Sequence, residues 1–274
     1  MKTLRQILEN EEGEDQPDKP VTGLPQKPID IGGGKKYIPR PNGKIRKVAE
    51  GYMKSAGLPY NPPKDYKKVD PERATRIADE FHKMKHDPEH PAVKASYQAL
   101  AKETMAQYQH VKKAGLKVEW MKEGQPDPYA KTPRLSNVDV EKNNHLWAYK
   151  TEHGFGSGDE DTSKNHPMLQ KTGEVVDGHH MLVNDAFRVV HDYFGHHKEG
   201  FGFRADGEEN AWRHHAAMFS EKAKPAMTAE TRGQNSFVNY GPHGDHNRKA
   251  NAAETHYAPQ KAGIMPKWVQ EEGK

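Results

Sequence analysis

The sequence predicts a mainly α-helical fold with a few short β-strands: a single globular metal-binding domain preceded by a poorly ordered N-terminal extension. Three observations predict it. Apolar residues recur at helical spacing between 70 and 115 and again between 184 and 222. Strand-like alternation is confined to short runs such as Leu116–Trp120. Prolines and glycines crowd the first 65 residues.

The extension is expected over residues 1–65. Leu4 to Leu8 is long enough for one short helix, and the acidic run Glu11-Glu12-Gly13-Glu14-Asp15 follows. Pro17, Pro20, Pro25, Pro28, Pro39, Pro41, Pro59, Pro62 and Pro63 then remove donors, and Gly32-Gly33-Gly34 costs order. Such a polar arm suits a protein partner. Gly32-Gly33-Gly34-Lys35-Lys36 lacks the spacing of a phosphate loop.

The globular part is expected over 66–274, with its site in 179–256. Asp70 should cap a helix that starts at Pro71 and carries Ala74, Ile77, Ala78 and Phe81 on one stripe. A second helix should run from Pro91 to Ala114 and stop at Gly115. His82, His86, His90 and His110 read as surface residues of this hairpin. Leu116–Trp120 and Leu146–Tyr149 read as short strands, and Gly154 to Asp161 as a loop ahead of the site.

Composition narrows the chemistry. There are no cysteines, so thiolate nucleophiles, disulfides, zinc fingers and iron–sulfur clusters are excluded. Any metal must sit on His, Asp or Glu. The formal charge is +3 from 42 basic and 39 acidic residues, without the dense basic stripe of a strong nucleic-acid binder. No apolar run reaches the roughly 18 residues of a membrane span, and Met1 to Leu8 is too short and polar for a secretory leader. A soluble cytoplasmic protein is expected, with association with a virion as an alternative.

The histidines direct attention to one region: ten of the 17 lie between His179 and His256. In the run from Val183 to His197, Asn184 or Asp185 offers an N-cap, and Phe187, Val190 and Phe194 share a helical stripe with His191. His191 and His196 are five apart, which on a continuous α-helix places them about 140° apart. They converge on one ion only if the helix ends near Gly195 and a left-handed glycine swings His196 back. A further helix is expected over Glu208–Lys222, with His215 on its inner stripe as a supporting residue.

Glu230 follows the apolar Ala226-Met227 pair in a helix that Gly233 is expected to end, so its carboxylate needs either a cation such as Arg232 or a metal; Glu208 or Glu209, in the first turn of the preceding helix, is the alternative third ligand. Asp192 and Arg232 are the candidate catalytic residues. Asp185, Arg188, Glu209, His215, Gln234 and Asn235 are candidates to support the ligands or touch substrate. His243 and His246 are candidates for a second metal.

The run His191-Asp192-Tyr193-Phe194-Gly195-His196 resembles the His-Glu-x-x-Gly-His iron motif of the aromatic amino acid hydroxylases. Thr228-Ala229-Glu230 resembles the Thr-x-Glu setting of that family's third ligand, and it lies 34 residues after His196. The likeness is confined to about fifty residues, has Asp192 where the family has Glu, and includes no recognisable pterin-binding segment. It implies that His191, His196 and Glu230 bind Fe(II) as a two-His-one-carboxylate triad with open positions. The leading expectation is therefore a non-haem iron oxygenase acting on a small molecule. Zinc or manganese on the same ligands would make a hydrolase, and a fully coordinated metal would make a structural site in an assembly protein.

Overall fold

The computed structural model of the protein describes residues 19–32, 34–153, 155 and 165–273. The helix expected over Leu4–Leu8, the acidic run at 11–15 and most of the Gly154–Asp161 loop lie outside the described residues. The fold is mainly helical with a few short strands, as the apolar spacing predicts.

The extension expected to reach residue 65 is built into the fold over much of its length. Strands β1 (Ile29–Gly32) and β2 (Lys35–Tyr37) pair antiparallel, and helix α1 (Gly43–Ser55) follows. The Asn42 side chain accepts the Ile45 N–H and caps α1. Ile45, Ala49, Tyr52 and Met53 are buried along one stripe of this helix. The prolines at 39, 41, 59, 62 and 63 all fall outside it, so the dense proline count marks its ends and not its absence.

Helix α2 (Pro71–Lys83) starts as expected, with the Asp70 carboxylate accepting from Glu72 N and Arg73 N. Helix α3 (Pro91–Lys113) ends before Gly115, whose φ of +79° is the left-handed turn that glycine permits. Strands β3 (Lys117–Trp120) and β4 (His145–Ala148) pair in parallel from Lys117↔His145 to Trp120↔Ala148, joined through helix α4 (Leu135–Asn143). Strands β5 (Lys171–Val176) and β6 (His179–Leu182) form an antiparallel pair that leads directly into helix α5 (Val183–His191).

Helix α5 is the axis of the molecule. Ala186, Val189 and Val190 pack with Ile45, Tyr52, Tyr108 and Leu146 on one side. Val183 and Phe187 pack with Tyr97, Leu100, Trp212 and Phe219 on the other. A helix buried on two faces is held in place by most of the core, with about 1.5–3 kcal/mol from each large side chain removed from water. Its N-cap is Leu182, not Asn184 or Asp185. Asp185 sits one turn in, and its carboxylate reaches back 2.8 Å to the Leu182 N–H.

After α5 the chain makes a π-helical turn over Asp192–His197. Helix α6 (Ala205–Ala216) follows and ends six residues short of the expected Lys222, because the chain must turn to begin α7 (Lys224–Thr228) with Pro225 in its first turn. A second π-helical turn, Ala229–Gly233, joins α7 to α8 (Gln234–Tyr240), and a short α9 (Gly244–Asn247) follows. Gly233 does not stop the helix. A Cβ there would lie 3.0 Å from the Phe81 ring, so the glycine serves close packing of α8 on α2.

Candidate metal centre

The π-helical turn answers the geometric problem set by two histidines five residues apart. An α-helical turn closes by i→i+4 hydrogen bonds, and a π turn by i→i+5, so residues five apart come to the same side. Lys198 N bonds Tyr193 O and Phe201 N bonds His196 O in this i→i+5 pattern. His191 and His196 then face each other with ring centroids 5.2 Å apart. Gly195 is not in the left-handed region and ends no helix. Its role is contact: a Cβ there would lie 3.2 Å from Ala211 Cβ and 3.4 Å from His191 Cε1. The missing side chain lets the turn lie directly on α6.

That approach brings Glu208, in the first turn of α6, to the histidine pair. Glu208 Oε2 is 3.3 Å from His196 Nε2 and 3.7 Å from His191 Nε2. These three residues are the His/Asp/Glu group whose ligand atoms all lie within 4.8 Å of one another among the described residues. Ligands each about 2.1 Å from one ion stand roughly 3–3.5 Å apart, and the separations of 3.3 and 3.7 Å are close to that range.

His196 is fixed on one ring face and at its far nitrogen. Phe203 stacks on it with centroids 4.2 Å apart and planes 16° apart. Its Nδ1–H donates to the Gly202 carbonyl at 3.1 Å, so Nε2 is the nitrogen that faces Glu208 and that a metal could take. Gly207 makes room for that carbonyl, since a Cβ on it would fall 1.8 Å from Gly202 O. His191 Nδ1 lies 3.1 Å from Nδ1 of His215, a buried residue of α6. Two imidazole nitrogens and a carboxylate oxygen thus converge on one point. Burial works against charge on each group, but their attraction wins: Glu208 is held far below the usual carboxylate range and His196 above its ordinary value.

The carboxylate expected in this place, Glu230, is elsewhere. It lies in the second π turn, accepts from Tyr97 Oη and from Gln234 Nε2 at 3.0 Å, and sits 3.3 Å from His166 Nε2. Those donors satisfy it without a metal. Arg232 is equally committed. It forms a two-pronged pair with Glu209, donates to Val269 O and Glu271 O at 2.7 and 2.8 Å, and stacks 3.9 Å over Trp212. It pins the C-terminal segment to α6, which corrects its assignment as catalytic, and Glu209 is its counter-ion. Asp185 is spent on Thr151, His179 and Leu182, and Asn235 bonds Asn239. Asp192, at the head of the π turn, lies within the field of His196, His191 and Glu208; burial pushes its carboxyl up against the pull of the two histidines. Arg188 is coupled to both Asp185 and Asp192. His243 and His246 pack against His256 and form no metal group with it.

Two of the three side chains retain some exposure, 12% for His191 and 19% for Glu208, against 1% for His196. Glu208 also lines a narrow cleft with Asn235, Ser236, Asn239 and Tyr240. Tyr240 also borders a separate, larger cleft of about 410 Å³, with Pro71, Thr75, Asp245 and Arg248. No protein-family model, curated protein or solved structure matches the chain.

Proposed function

We propose that this protein is a metal-dependent enzyme, and that it holds one divalent ion on His191 Nε2, His196 Nε2 and the Glu208 carboxylate. The observation that carries the reading is the convergence of these three ligand atoms within 4.8 Å, in a chain with no cysteine. A two-His-one-carboxylate set that keeps positions open is the ligand pattern of non-haem Fe(II) oxygenases, where the ion supplies oxygen activation. The partial exposure of His191 and Glu208 favours such an open centre over a closed structural one. The resemblance to the aromatic amino acid hydroxylases extends to the two histidines, and its third ligand is replaced by Glu208. Neither a pterin nor an aromatic amino acid is carried over.

A zinc or manganese hydrolase on the same ligands is the second reading. Asp192 favours it, a buried carboxyl coupled to all three ligands and placed to handle a proton. Purification and reconstitution without oxygen separate the two. One iron per chain, with oxygen uptake that Glu208→Ala abolishes, is the expected result. One zinc with turnover independent of oxygen would transfer the site to hydrolysis. No bound metal would overturn both readings.

A further inference from the structure

The second nitrogen of His191 opens a chain of hydrogen bonds that runs away from the proposed metal. Its Nδ1 meets His215 Nδ1 at 3.1 Å, and His215 Nε2 meets Gln107 Oε1 at 2.7 Å. Gln107 Nε2 donates to the Met218 carbonyl at 3.3 Å. His215 and Gln107 are buried, at 0% exposure each, so water does not compete for these bonds.

The direction of every bond follows from the far end. The Met218 carbonyl can only accept, so the Gln107 amide must present its NH₂ there and its Oε1 to His215. Oε1 can only accept, so His215 carries its proton on Nε2. Its Nδ1 is then bare and must accept from His191, which carries its proton on Nδ1. Nε2 of His191 takes no part in this chain and lies 3.7 Å from Glu208 Oε2. The Gly202 carbonyl fixes a proton on Nδ1 of His196 by a shorter route.

We infer that His215 and Gln107 are positioning residues that hold His191 in its Nδ1–H tautomer and so keep Nε2 available as a ligand. The inference rests on the metal reading for its purpose and on the hydrogen-bond chain for its content. Orienting partners of this kind change metal affinity by about 10- to 100-fold. His215→Leu removes the acceptor and frees His191 to protonate Nε2. His215→Asn keeps one, because Asn Oδ1 falls near the place of His Nδ1.

The test uses the full chain. Two-bond ¹H–¹⁵N spectra of the metal-free protein at about pH 8, where the ordinary imidazole is neutral, report which nitrogen of His191 carries the proton. Competition with a chromophoric chelator reports Zn²⁺ affinity. The inference expects Nδ1–H in the wild type, its loss in His215→Leu with zinc bound about 10- to 100-fold more weakly, and recovery of both in His215→Asn. An Nε2–H tautomer in the wild type, or wild-type zinc affinity in His215→Leu, overturns it. Should His215→Leu not fold, Gln107→Met removes the Oε1 acceptor and is read in the same two ways. A wild type that binds no metal but shows Nδ1–H, lost in His215→Leu, keeps the chain of bonds and defeats the metal reading.

Discussion

At the scale of single residues, Glu208 and Glu230 both lie beside histidines, and only Glu208 stands between two of them. Glu208 meets two nitrogens within 3.7 Å, and in His196 the other ring nitrogen is already taken by the Gly202 carbonyl. Glu230 meets the hydroxyl of Tyr97 and the amide of Gln234, donors that satisfy it as they stand. Glu230→Ala is therefore expected to cost about 1–3 kcal/mol of stability, read from the urea midpoint, with metal binding intact. The Thr-x-Glu spacing pointed to Glu230 because Tyr97 and His166, which claim it, lie far away in sequence. Glu208 was legible only as an alternative in a first helical turn. Burial also sets a pH dependence. His214 and His215 are held well below the ordinary histidine value and His197 is pushed down to about 3, each chiefly by burial. Their unfolded forms take up protons below about 6.5 while the folded forms do not, so stability falls as pH drops from there. Each adds at most about 1.4 kcal/mol per pH unit. Urea midpoints measured between about pH 7.5 and 5 should decline steeply, and replacing His197 by Asn should flatten the decline.

At the scale of elements, the helices with capped ends and a clean apolar stripe were readable, and the π turns were not. Asp70, Pro71 and Gly115 mark α2 and α3 through local chemistry that any helix would share. No residue type announces an i→i+5 turn. What selects it here is packing: Tyr193 and Phe194 are fully buried, and Gly195 lies against Ala211. The sequence showed that the His191–His196 spacing needed a change of helical geometry at Gly195, and suggested an ending where the structure has a widening. Gly195→Ala tests this element. Its methyl would press at 3.2 Å on Ala211 and push the turn away from α6. The expected cost is about 1–3 kcal/mol, with weakened metal binding, both measurable by thermal unfolding with and without added metal.

At the scale of the whole molecule, the N-terminal segment is part of the support for the centre. Arg46 of α1 forms a two-pronged pair with the buried Glu199, which also receives Lys198 Nζ at 2.8 Å. Asn42 N bonds Lys198 O at 3.0 Å, and Gly200, with φ of +76°, lies so close to Arg40 that a Cβ would come within 2.8 Å of its backbone. The chain just after the π turn is thus clasped by residues 40–46. Proline and glycine content concealed this, because composition averages over a helix of only 13 residues. Arg46→Ala should destabilise the protein by about 2–3 kcal/mol by leaving part of a buried carboxylate unpaired, with one metal still bound per chain at temperatures where the fold persists. The most direct measurement for the account as a whole is metal content after anaerobic reconstitution of the wild type, Glu208→Ala and Glu230→Ala side by side. The account predicts about one ion per chain in the wild type and in Glu230→Ala, and none in Glu208→Ala. Retention by Glu208→Ala with loss in Glu230→Ala would contradict it and return the third ligand to the position that the sequence motif named.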